Sequence, residues 1–439
     1  MGDLTSALGP AWLREVVMAN RGGHPVGMFS VCSAHPVVLA AAMRQAEANG
    51  SMLSIESTSN QVNQFGGYTS LTPPSFAEFI SGLAEHVGLN RDRILLGGDH
   101  LGPYPWRYEK SDQALSKAGM LVRECVLAGY TKIHLDASMR CADDDSALSD
   151  ETIAERAARL CLQSEKAYRE LPAGSPLPHY VIGSEVPVPG GEQTSDTAPQ
   201  TTSVDQVRHT LHSFQQAFFA CGLQSAWERV IALVVQTGAE FGDMRVFDYD
   251  SERAASLAAN LPVSPTIVYE AHSTDYQRTC ALRSMVRDHF AILKVGPWLT
   301  FAYREAILAL SLIERDWLGG RRHMQISKVR QALDDAMLRN PSHWQPYYSG
   351  LDEAEQAFSR LYSHSDRCRY YWSDAAVKRE VDLLLRNLSV GEIPLTLVSQ
   401  YFPEQYEYIR ESSSKGTPEI LIDRRVRRIL DVYSRAVTA

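Results

Sequence analysis

The stretch Leu95-Leu-Gly-Gly-Asp-His-Leu-Gly-Pro103 runs apolar, passes through two glycines and then sets Asp99 beside His100. An apolar run that stops on an acid and an imidazole either closes a local turn or presents a reactive pair. The pattern repeats along the chain. Short apolar or β-branched runs at 26–32, 52–56, 94–97, 132–136, 180–185, 230–235, 266–270 and 291–295 are each followed by Gly, Ser, Asp or Glu and then by a helix-like segment. Near-continuous apolar strands separated by helices indicate a parallel sheet covered on both faces, and eight such units indicate an α/β (β/α)8 barrel. An open doubly wound sheet is the rival, but no G-x-G-x-x-G follows any of these strands.

Helical periodicity is clearest at 74–84, with apolar residues at 76, 79, 80 and 83, and at 204–220, with 204, 207, 211, 214 and 218 on one face. A polar, Gly-rich segment at 190–202 is long enough to be a lid. Beyond residue 315 the pattern changes to helices without strands, with aromatic clusters at 344–348 and 368–372. The expected organisation is a barrel over 1–315 and a C-terminal helical extension over 316–439 that serves as cover or in assembly.

The 439 residues are 44% hydrophobic and 22% charged, ordinary for a soluble chain with a large core. A net charge of −9 without a basic run argues against nucleic acid or an anionic membrane as partner. No apolar stretch is long enough to span a bilayer, and the N-terminus lacks the form of a signal peptide, so a cytoplasmic location is expected. Seven scattered cysteines without a C-x-x-C read as reduced core filler.

In a barrel the chemistry gathers where the strands end. Those positions hold Ser33 and His35; Glu56, Asn60, Asn63 and Gln64; Asp99 and His100; Asp136; Glu185 and Glu192; Gln236 and Glu240; Glu270, His272 and Asp275; and Lys294. Any one of them could cap a helix, but eight strands ending this way are harder to explain by capping. His100, His272 and a carboxylate from Glu185 or Glu240 are the ligand types of a divalent metal site with a position left for a substrate oxygen. A neighbouring carboxylate such as Asp99 would move protons, and Lys294 would neutralise an enolate or a phosphate.

Seven segments together resemble a known family: 29–36, 56–68, 97–103, 132–139, 184–192, 269–277 and 289–297. They look like the family of the tagatose-bisphosphate aldolase accessory subunit, which also contains D-tagatose 6-phosphate 4-epimerases, and the likeness runs on through 370–372 and 393–401. The family is in turn distantly similar to metal-dependent class II aldolases. By that likeness Asp99 and His100 fall at a catalytic Asp and a metal-binding His, His272 at another metal-binding His, and Glu185 and Glu192 at strand-five carboxylates. Where the aldolases place a metal-binding His after strand six, this chain has Glu240, so the implied ligand set is His100, Glu240 and His272, holding Zn, Mn or Ni. The aldolases' Gly-rich phosphate segment appears here as His272-Ser-Thr-Asp275.

The resemblance implies a ketose phosphate substrate bound by Ser33, Glu56, Asn60, Gln64, Ser273, Asp275 and Lys294, with Asp99, Asp136, Glu185 and Glu192 moving protons. The C4 hydrogen of a 2-ketose is not adjacent to the carbonyl, so inversion there needs either retro-aldol cleavage and re-addition or transient oxidation. No dinucleotide fingerprint supports oxidation. The expected activity is therefore interconversion of D-tagatose 6-phosphate and D-fructose 6-phosphate. The alternative is a non-catalytic subunit that stabilises a separate D-tagatose-1,6-bisphosphate aldolase; a homo-oligomer is also open. A sugar-phosphate kinase is disfavoured, because no G-x-x-x-x-G-K-[ST] loop or kinase signature set is present.

Overall fold

Strands of four to eight residues form where apolar residues run without a break, and nearly every position in them is buried. A computed structural model describes residues 9–145, 147–184, 199–411 and 416–438. Eight parallel strands close into a barrel: β1 (Met28–Val31), β2 (Leu53–Thr58), β3 (Ile94–Leu101), β4 (Lys132–Leu135), β5 (His179–Ile182), β6 (Val230–Val235), β7 (Val268–Ala271) and β8 (Phe290–Val295). They pair in sequence order, and β1 closes on β8 with Met28 opposite Ile292 and Val31 opposite Val295. The expected (β/α)8 fold is borne out. Burial of β6 and β8 at all six positions of each reflects helices outside and a filled lumen inside.

The two helices read from periodicity are observed as Pro73–Val87 and Val204–Ala220. The first begins in a capping box between Thr72 and Ser75. An amphipathic helix, Pro10–Arg21, precedes β1. Its Leu13, Val16 and Val17 join Met28, Leu95, Val181, Ile231, Val268 and Ile292 in an apolar cluster near the strand starts, so this helix stops the N-terminal end of the barrel. The opposite end is left for polar groups.

Beyond the long helix Pro297–Leu318, the described residues form helices and turns with no strand. The last helix, Pro418–Val437, packs on the helices Pro36–Asn49, Thr279–Arg287 and Pro297–Leu318, and Tyr433 donates from its hydroxyl to the Thr274 carbonyl at 2.7 Å. No described helix is long and apolar enough to cross a membrane. All seven cysteines are free. Cys125, Cys141, Cys161 and Cys368 are buried filler as expected, but Cys221 and Cys280 are exposed and Cys32 is half-buried.

Candidate metal centre at the barrel mouth

The glycines of the opening motif make room. A Cβ on Gly97 would lie 3.0 Å from Glu56 Cγ and from the Lys132 carbonyl oxygen; on Gly98 it would lie 2.5 Å from Leu101 Cδ1. Asp99 and His100 then fall within β3 rather than after it. Successive strand side chains alternate faces, so two neighbours cannot ordinarily both point inward. The β3–β4 register slips between Gly98, opposite Ile133, and Leu101, opposite Leu135, and His100 takes φ 49°. This extra residue is a bulge, and it turns both side chains into the mouth.

Two polar layers lie above the apolar plug. In the lower one Lys132 Nζ bridges Glu56 Oε1 at 2.9 Å and Glu270 Oε2 at 2.7 Å, with all three side chains fully buried. Lys294 Nζ contacts Glu56 Oε2 at 2.5 Å, Asp99 Oδ1 at 2.9 Å and Glu270 Oε1 at 3.5 Å. Burial opposes the charge on Lys294, but Asp99, Cys32, Glu270 and Glu56 outweigh it and hold its pKa well above the usual range. Burial likewise opposes ionisation of Glu270, yet Lys132, Lys294 and His272 keep its pKa well below normal.

The upper layer brings Asp99, His100, His134 and His272 together, with one ligand-type atom of each lying within 4.8 Å of all the others. Each imidazole is anchored on one nitrogen by a carboxylate. His100 Nδ1 lies 2.8 Å from Asp136 Oδ2, His134 Nδ1 3.0 Å from Asp99 Oδ1, and His272 Nε2 3.0 Å from Glu270 Oε1. A proton on an anchored nitrogen leaves an unshared pair on the other, which is the form in which histidine binds metals. His134 Nε2 is buried and without a hydrogen-bond partner. The His100 backbone N–H also donates to His134 Nδ1 at 3.2 Å, so this amide and Asp99 both meet that nitrogen. Burial pushes the His272 pKa down to about 4, so this imidazole is neutral. Asp99 is held well below the usual carboxylate range: burial is outweighed by His100, Lys294 and the His134 hydrogen bond.

Charge balance points the same way. Four buried carboxylates, Glu56, Asp99, Asp136 and Glu270, face two buried lysines, Lys132 and Lys294. Burial makes His272 neutral, while at His100 burial is outweighed by Asp99 and Asp136, which raise its pKa; the two layers still hold more carboxylates than lysines, a deficit of positive charge that a cation beside the imidazoles would fill. Three imidazoles, a carboxylate and that deficit fit a divalent metal.

The mouth opens into a cavity of about 580 Å³. From the barrel its wall includes Ser33, Asn60, Asp99, His100, His272, Ser273, Asp275 and Lys294; from the C-terminal segment, Arg369, Tyr370, Trp372, Lys378 and Leu385. A family model described as D-tagatose-1,6-bisphosphate aldolase subunit GatZ/KbaZ-like matches residues 13–438. The chain belongs to this family. It is similar to the crystal structure of a probable tagatose 6-phosphate kinase from Sinorhizobium meliloti 1021, at 40% identity over 93% of this chain and 100% of that one, with a TM-score of 0.84. A fructose-bisphosphate aldolase from Campylobacter jejuni aligns at 12% identity over 84% of this chain and 95% of that one, TM-score 0.46. A putative fructose-1,6-bisphosphate aldolase from Coccidioides immitis aligns at 12% over 84% and 94%, TM-score 0.42.

Against the site residues read from the sequence, the geometry sorts as follows. His100, His272 and Asp99 meet in the upper layer. Asp136 stands behind His100 and accepts from the Ser138 hydroxyl at 2.6 Å, outside the cavity lining. Glu56 is locked between the two lysines. Gln64 donates from Nε2 to the Lys117 carbonyl at 2.9 Å and does not line the cavity. Asp275 accepts from the backbone N–H groups of Gly296 and Trp298 at 3.0 and 2.8 Å, capping the helix after β8. Glu240 enters a short hairpin with Phe247 and lies outside the four-residue group. Glu185, Glu192 and most of the 190–202 segment lie outside the described residues. Sequence reasoning missed His134 and Lys132. The signal was present in Lys132-Ile-His-Leu-Asp136, where polar residues alternate with apolar ones along a strand whose inward positions recur every two residues.

Proposed function

We propose that this protein is a metal-dependent ketose-phosphate 4-epimerase that interconverts D-tagatose 6-phosphate and D-fructose 6-phosphate. The observation that carries the reading is the group of three carboxylate-anchored imidazoles beside Asp99, in the mouth of a barrel whose family is that of tagatose-bisphosphate aldolase subunits. His100, His134 and His272 would hold the metal, with Asp99 at its edge; His134 from β4 takes the place that the sequence assigned to Glu240. A bound divalent cation would polarise the C2 carbonyl and stabilise negative charge developing on the adjacent carbons.

The chain's own groups supply the rest. Asp99, ionised and 2.9 Å from Lys294, accepts the proton of the C4 hydroxyl. The electrons of that O–H bond form the C4 aldehyde as the C3–C4 bond breaks, and the C3–C4 pair passes into an enediolate over C3 and C2. Lys294, kept protonated by its carboxylates, faces this charge from the cavity wall. The aldehyde turns about its single bond, C3 adds to its other face, and Asp99 returns the proton to the new C4 oxygen. Atoms and electrons balance with no external oxidant, and the cavity holds the triose fragment beside the enediolate for re-addition.

The test is a coupled assay for fructose 6-phosphate with protein treated with EDTA and then resupplied with Mn2+, Ni2+ or Zn2+. Metal-dependent conversion that is lost in His100→Ala and His134→Ala supports the reading. No conversion with any metal, while a separate aldolase subunit gains activity or stability on addition of this protein, would establish the accessory role that the family description also fits.

A further inference from the structure

The proposed substrate carries a phosphate, and many barrels bind one at the loop after the seventh strand and a helix N-terminus near the eighth. Here that place is taken. Asp275 fills the N-terminus of Pro297–Leu318 with its own carboxylate, accepting from Gly296 and Trp298. A second anion would have to displace it.

The cavity offers three side-chain ammonium or guanidinium groups: Lys294, Arg369 and Lys378. Lys294 is committed to three carboxylates at the metal end. Arg369 and Lys378 come from the C-terminal segment, and among the described residues neither is ion-paired to a carboxylate. Arg369 is set by its neighbours: Nη1 donates to the Ser365 and Asp366 carbonyls, and Nη2 to the Tyr370 hydroxyl at 2.9 Å. Asp366 itself accepts from the Thr300 hydroxyl at 2.6 Å and lies 3.7 Å from Arg304. Lys378 is exposed on the helix Ala375–Leu388 and shares the cavity wall with His35. The same wall carries Asp382, one turn further on, which forms no ion pair with Lys378.

We infer that Arg369 and Lys378, which both line this cavity, form an anion subsite for the phosphate ester of the sugar. The inference rests on the ketose-phosphate reading above. It makes the C-terminal segment a part of the binding site, since the barrel alone leaves no uncommitted cation in this cavity.

Binding can be separated from chemistry with D-glucitol 6-phosphate, which has the phosphate and no carbonyl. Calorimetric titration of the full chain should give binding to glucitol 6-phosphate and none to glucitol, with inorganic phosphate weaker than the ester. Arg369→Met should weaken the ester by about tenfold or more, and Lys378→Gln by about threefold, as for charge-assisted contacts that differ in burial. Arg379→Gln, exposed on the same helix and outside the cavity lining, should change nothing. If Arg369→Met loses the fold by circular dichroism, Lys378→Gln decides. Unchanged affinity in the folded variants, or no binding of the ester by the unaltered protein, overturns the subsite even if epimerisation is observed. Ester binding lost in the variants of a protein with no epimerase activity would keep the subsite and reject the catalytic reading.

Discussion

Asp136 Oδ2 lies 2.8 Å from Nδ1 of His100, the shortest of the three contacts that orient the imidazoles at the barrel mouth. Replacing Asp136 with Asn keeps the shape but offers His100 a neutral partner that holds its tautomer less firmly. Loss of such an outer carboxylate typically costs about 10–100-fold in metal affinity. Competition against a chromophoric chelator should show that loss in Asp136→Asn, with little change in the thermal midpoint of the metal-free protein. Unchanged affinity would mean that His100 does not ligate.

Lys132 links Glu56 and Glu270 in a layer without water access. Lys132→Met would leave those two carboxylates with Lys294 alone, and breaking one partner of a buried ion pair costs about 3–5 kcal/mol. Chemical denaturation of the variant should show a loss of that order. A loss below about 1 kcal/mol would contradict the burial assigned to this layer.

Glycine at 102 is a requirement of packing. A Cβ there would sit 1.6 Å from the Asp136 carbonyl oxygen, and a backbone atom cannot step aside as a flexible side chain can. Gly102→Ala is expected to destabilise by at least about 1–3 kcal/mol and to weaken metal binding, because Asp136 moves. Gly82, inside the helix Pro73–Val87 with nothing within 4 Å of its added Cβ, gives the opposite expectation. Gly82→Ala should stabilise by up to about 1 kcal/mol.

Asp275 gives a pH dependence. Burial raises its pKa to about 6, against hydrogen bonds from Trp298 and Gly296 that lower it. The folded state therefore holds this proton more tightly than the unfolded chain. The resulting stability is complete below about pH 4 and is lost as pH rises through about 6, up to about 3 kcal/mol. Asp275→Asn should remove that decline and be more stable than the unaltered protein at pH 7. Parallel stability profiles between pH 4 and 7 would contradict it.

The barrel was legible because its signal is local: eight apolar runs, each bounded by small or polar residues. The inward pair at Asp99 and His100 was legible as a reactive pair but not as a bulge, since a single residue at positive φ leaves no mark on composition. The third imidazole was hidden for another reason. His134 sits mid-strand between apolar neighbours and reads as a core position until the barrel closes and β4 turns it toward His100 and His272. Glu240 was placed by the end of strand six and the aldolase likeness; it pairs with Phe247 in a short hairpin and is not one of the four clustered residues. Arg369 could not be assigned from sequence, because its place in the wall depends on packing between segments far apart in the chain.

The most direct measurement is the fate of the C4 hydrogen. Purified protein with added metal is given D-tagatose 6-phosphate deuterated at C4, and the fructose 6-phosphate is examined by mass spectrometry. Cleavage between C3 and C4 leaves the deuterium on the aldehyde carbon, so the product should retain it in full, and none should form after EDTA or in His134→Ala. Product that has exchanged its deuterium with solvent, or no product with any divalent metal, would contradict the mechanism and the site together.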